Sequence, residues 1–120
     1  MLMDLNELKA YLSAKRGAKE DYPFGPVTLV FKVMGKIYAL IGIDETPLRM
    51  NLKCDPDEAI ALRSIYKSVI PGYHMNKEHW NTVILDGSIP ESEIEKMIDE
   101  SYRLVVESLK KADREHLSKL

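Results

Sequence analysis

Hydrophobic and polar residues alternate most cleanly in "LRMNLK" (48–53). Leu48, Met50 and Leu52 fall on one side; Arg49, Asn51 and Lys53 fall on the other. A period of two is that of a strand with one face covered and one face wet. Upstream, "VTLVFKVMGKIYALIGI" (27–43) is rich in β-branched and aromatic residues, and Gly35-Lys36 divides it into two strands joined by a short turn. Downstream, "HWNTVIL" (79–85) predicts a further strand, ended by Asp86-Gly87.

Between and around these runs the period changes to that of a helix. Leu5, Leu8 and Leu12 follow Asp4, with Glu7 three residues after it as in a capping box, and Gly17 is a plausible stop. "YPFGP" (22–26) then breaks the chain. "CDPDEAIALRSIY" (54–66) predicts a second helix, capped by Asp55, with Pro56 at its first position and Ala59, Leu62 and Tyr66 on its apolar side. A third starts near Pro90, where Glu91, Glu93 and Glu95 suit a positive helix end. Its stripe is Ile94, Met97, Ile98, Tyr102, Val105 and Leu109. From Lys110 the tail is charged and is expected to fray. The order is helix, three strands, helix, one or two strands, helix. Hairpin-linked strands between helices predict an α+β two-layer sandwich, an antiparallel sheet with helices packed on one face.

At 120 residues, 45% hydrophobic and 30% charged, the chain suits one domain over 1–120 and not two. No apolar run is long enough to span a membrane, and the first fifteen residues do not read as a signal peptide. The single cysteine, Cys54, excludes an intramolecular disulfide and fits a reducing cytosol, so a cytoplasmic protein is expected. The net charge of -2 argues against a uniformly basic nucleic-acid binder. Its distribution changes the picture: residues 28–53 carry Lys32, Lys36, Arg49 and Lys53 against Asp44 and Glu45 alone.

Two places can carry function. One is the wet side of the sheet, where alternation gathers Thr28, Lys32, Arg49, Asn51 and Lys53; such a cluster suits phosphates or is an ordinary solvated face. The other is "PGYHMNKEHWN" (71–81). There Tyr73 and Trp80 can stack on bases, Lys77 can meet a phosphate, and Asn76 or Asn81 can read a base edge. The structural alternative has Trp80 anchoring the core and Asn76 capping a turn through Lys77, Glu78 and His79. His74 and His79 lack the partners of a tetrahedral metal set, so no metal or other cofactor is expected. No phosphate loop or nucleophile elbow is present, and Ser64, Ser68 and Cys54 have no evident base, so no enzyme is expected.

"DYPFGP", "LVFKVMGKIYALI", "RMNLKCDPDEA" and above all "PGYHMNKEHWNTVILDGSIPESEIEKMIDESYRLV" together resemble the MmcQ/YjbR-like family of small bacterial proteins, from Leu5 to Leu109. The resemblance implies a CyaY-like fold and a "double wing" DNA-binding protein. Its motif positions are Phe24, Lys32, Lys53, His74, Asn76, Lys77, His79 and Trp80, the polar ones expected together at one end of the sheet. The acidic iron-binding ridge of frataxin is not carried over, because Asp4, Glu7, Glu20 and Asp21 are balanced by Lys9, Lys15, Arg16 and Lys19. With Arg49 added from the sheet face, the expectation is weak, salt-dependent binding of double-stranded DNA by a monomer or weak dimer. The alternative is an adaptor that binds a peptide or small ligand at the polar corner beside Trp80.

Overall fold

The computed structural model describes residues 3–72 and 75–120. The elements in chain order are α1 (Leu5–Ser13), β1 (Ala18–Asp21), β2 (Thr28–Val33), β3 (Lys36–Gly42), β4 (Arg49–Lys53), α2 (Pro56–Ile65), β5 (Val69–Pro71), β6 (Trp80–Ile84), α3 (Glu91–Glu107) and α4 (Lys111–Ser118). The six strands form one sheet in the order β1-β2-β3-β4-β6-β5, every neighbouring pair antiparallel. This is the expected α+β class, with helices over one face.

Local chemistry accounts for most boundaries. Asp4 and Glu7 form the capping box of α1, the Glu7 N–H donating to Asp4 Oδ1 at 2.8 Å. The turn between β2 and β3 is Met34-Gly35, one residue earlier than expected. Both residues take positive φ, as a tight hairpin twisted to match its strands requires. Asp55 occupies the position before α2 as expected, but its side chain makes no capping bond; its carboxylate lies 4.0 Å from Arg103 instead.

Two elements depart from expectation. β1, "AKED", is a polar edge strand held by its ladder to β2. The tail is a helix rather than a frayed end: Leu117 of α4 is buried, and its methyl packs so close to Gly17 that a Cβ there would meet it at 2.6 Å. One buried leucine anchors a turn that charge alone would leave in water.

The core lies between the sheet and its helices. Leu29, Phe31 and Val33 of β2, Ala39 and Ile41 of β3, Met50 and Leu52 of β4, and Val83 of β6 face α3's Ile94, Ile98 and Val105. A bulge opposite Phe31 and Lys32 turns Tyr38 into this layer, where its hydroxyl donates to the Leu12 carbonyl at 2.8 Å. The paired registers of β3 and β4 stop at Ala39 and Leu52. Beyond that point Ser101 of α3 bridges them: its hydroxyl accepts from the Lys53 N–H at 2.9 Å and donates to the Tyr38 carbonyl at 2.6 Å. A buried helix serine thus supplies what the ladder would have.

Candidate functional site

The strand registers assign the open face residue by residue. Val30, Leu40, Asn51, Thr82 and Ile70 form one row across five strands. Thr28, Gly42, Arg49 and Ile84 form the next. Lys19 pairs with Lys32, and Lys53 with Trp80. Thr28, Lys32, Arg49, Asn51 and Lys53 therefore share this face, as alternation predicts.

The face is not uniformly wet. Val30 is fully buried, and Thr82 is buried with its hydroxyl donating to Asn51 Oδ1 at 2.5 Å. A trough of about 480 Å³ runs over Thr28, Leu40, Asn51 and Thr82, with Arg49 and Glu45 along it and Phe24 and Met75 at its rim. The segments before β2 and before β6 raise its walls, so this side of the sheet is a concave surface.

The candidate cations occupy different situations. Lys32 donates to Asp21 at 3.0 Å; that hydrogen bond, with one from the Tyr22 N–H, holds the Asp21 carboxyl below its usual range. Arg49 is exposed and has no ion pair among the described residues. Lys53 is half-buried directly opposite Trp80. Arg49 and Lys53 bound the same strand, about 13 Å apart at a strand's rise. Lys77 is exposed in the turn before β6.

Around that turn the structural alternative holds for Asn76. Its Oδ1 accepts the Glu78 N–H at 2.9 Å, and its carbonyl accepts the His79 N–H at 3.2 Å. The His79 carbonyl accepts the Cys54 N–H at 2.8 Å, which ties the corner to the end of β4 beside Lys53. Trp80 is half-buried on the open face, not enclosed in the core. Gly72 permits its close approach, since a Cβ there would meet the Trp80 backbone at about 3.0 Å. The expectations for Tyr73 and His74 lie outside the described residues.

Asn81 is a correction. It pairs with Leu52, whose side chain is in the core, so it faces the helices and reads no base. Its amide nitrogen donates to the Ala59 carbonyl at 3.3 Å. It borders a second cavity, about 340 Å³, between α2 and α3. Cys54 lines that cavity as well. Burial, then the carboxylates of Glu58, Asp55 and Glu100, push its thiol up to about 11, far from nucleophilic at neutral pH. Ser64 donates to the Ala61 carbonyl at 2.8 Å, and Ser68 donates to the Asp86 carboxylate at 2.7 Å.

Sequence reasoning also undervalued "YPFGP". Read as a chain breaker, it leaves Tyr22 42% exposed and places Phe24, 65% exposed, beside the open face. The signal was present: large aromatics inside a Pro/Gly segment have no regular element to bury them.

The YjbR family model matches residues 13–104. YbdF of Escherichia coli O157:H7 is 41% identical over 96 residues, covering 80% of this chain and 79% of that protein. YjbR of Escherichia coli K12 is 36% identical over 118 residues, covering 98% and 100%. Among solved structures, Deinococcus radiodurans protein DR2400, of domain family DUF419, superposes with a TM-score of 0.91 at 38% identity, covering 98% of this chain and 89% of that one. A Pseudomonas syringae protein gives 0.74 at 33% identity, covering 85% and 98%.

Proposed function

The chain belongs to the YjbR family, and we propose that it binds double-stranded DNA across the open face of its sheet. The observation that carries this reading is the division of charge between the two sides. The chain is net -2, yet the open face holds Lys19, Lys32, Arg49 and Lys53 against Asp21 and Glu45. The carboxylates of α2 and α3 lie on the other side. Lys32, Arg49, Lys53 and Lys77 meet phosphates; Phe24, at the edge of the trough, offers apolar surface to sugars and bases. Asn76 and His79 hold the loop that carries Lys77. The activity is binding without catalysis, in the cytoplasm, by a monomer or weak dimer.

About four phosphate contacts give a slope of log affinity against log salt near -3 to -4, and weak binding at physiological salt. Fluorescence anisotropy with a labelled duplex of ~20 base pairs, titrated at several salt concentrations, tests this. A linear fall supports the reading. No binding at low salt, or an affinity indifferent to salt, sinks it.

A second reading, a peptide or small ligand held beside the corner, draws on the trough itself: it is concave, has a buried polar floor and ends at Met75. Trp80 shares the face, so its fluorescence reports an occupant. Saturable quenching by a ligand, with no duplex binding, would favour this reading over DNA.

A further inference from the structure

The cavity between α2 and α3 lies across the sheet from the proposed DNA surface, and of the residues assigned to that surface only Lys53 also borders it. We propose that it binds a small amphiphilic cation, an aliphatic amine in its ammonium form. Three features lead there. Its inner wall is apolar: Leu52, Leu62, Val83 and Met97. At about 340 Å³ it has the size of a small-ligand site and exceeds what single bridging waters fill.

The second feature is Asn81. It is 2% exposed, and its Oδ1 has no hydrogen-bond partner among the described residues. The orientation of the amide is not arbitrary. Its nitrogen donates to the Ala59 carbonyl, and a flipped amide would set two acceptors against each other. A buried carbonyl oxygen left unpaired is unfavourable, so the site asks for a donor.

The third is the charge at the rim. Asp55, Glu58, Glu93 and Glu100 border the cavity against Lys53 and Lys96. Lys96 is paired with Glu93, and Glu100 with Arg103. Glu58 has no ion pair among the described residues. It is one residue from Ala59, which anchors Asn81, and the residue with the unpaired acceptor and the one with the uncompensated carboxylate both line the cavity. An ammonium donates to the first and neutralises the second, while its alkyl chain lies along the apolar wall. A carboxylate or phosphate ligand would meet repulsion at the same place, and a purely apolar one would leave Asn81 unpaired.

The test is a titration of the full chain with n-hexylamine at neutral pH, with hexan-1-ol and hexanoate as probes of equal chain length. The side-chain amide of Asn81, followed by nuclear magnetic resonance, is the readout. Hexylamine should shift it saturably, binding about fivefold or more tighter than hexanol, with hexanoate weaker still. Glu58→Gln, at an exposed side chain and so expected to fold, should weaken hexylamine about fivefold and leave hexanol and duplex DNA unchanged. Equal binding of amine and hexanoate, shifts confined to the open face, or no saturable shift of Asn81 would overturn the proposal.

Discussion

The two faces of one sheet solve opposite problems with the same strands. On the helical side nearly every strand residue is apolar and buried, and the polar groups admitted there bridge layers. Tyr38 reaches α1, and Ser101 joins β3 to β4. Asn81 is the exception, bonded through its nitrogen and unpaired at its oxygen. On the open side the intervening residues make a trough edged by Arg49, Glu45 and Phe24. Because successive residues point to opposite faces, a change on one side leaves the packing of the other nearly untouched. Stability and binding are therefore separable by a shift of one residue along a strand.

The sharpest way to break this comparison is to truncate one aromatic on each side. Phe31→Ala empties a buried position and should destabilise by about 3–5 kcal/mol in urea denaturation. Phe24→Ala, on the exposed rim, should change stability by less than about 0.5 kcal/mol while weakening duplex binding. Comparable losses of stability would refute the division of labour.

Next in size, Ser101→Ala strips the bridge between β3 and β4, leaving a buried N–H and carbonyl without their partner. A loss of about 2 kcal/mol by the same measurement is expected. A neutral result would mean that the strands close on each other when the serine is gone.

On the open side, the Arg49→Ala and Lys53→Ala double variant should keep its thermal midpoint and bind every duplex more weakly. Its salt slope should be shallower by about 2. An unchanged slope would remove these two residues from the interface.

The smallest expected effect concerns Asp86, at the end of β6. Hydrogen bonds from Ser88 and Ser68 lower its carboxyl from 3.8 to about 2. The stability this contributes is present above pH 3.8 and is lost as pH falls toward about 2. In Ser68→Ala the carboxyl should titrate higher, which carbon-detected magnetic resonance would follow; an unmoved titration would show that Ser88 alone suffices.

The elements with strong local signals were legible. The capping box of Asp4 and Glu7, the stripe of α3 and the alternation of β4 each depend on residues within a turn or two of one another. The set Thr28, Lys32, Arg49, Asn51 and Lys53 could be assigned to one face for the same reason. β1 and α4 could not be read. "AKED" has no apolar alternation, and its place comes from hydrogen bonds to a partner strand. α4 rests on one buried leucine packed against Gly17, a hundred residues earlier.

In "HWNTVIL" the sequence determines a strand but not which side of it is inward, because each parity holds both polar and apolar residues. The pairing of Leu52 with Asn81 settles that, turning Asn81 to the helices and Trp80 to the open face. The same holds for charge. The residues carry their signs in the sequence, but the gathering of cations on one face and of carboxylates around the cavity on the other needs strands and helices distant in the chain. Period and capping are local interactions and can be read in order along the chain. Parity, cavities and the field on each face are sums over partners that only folding brings together.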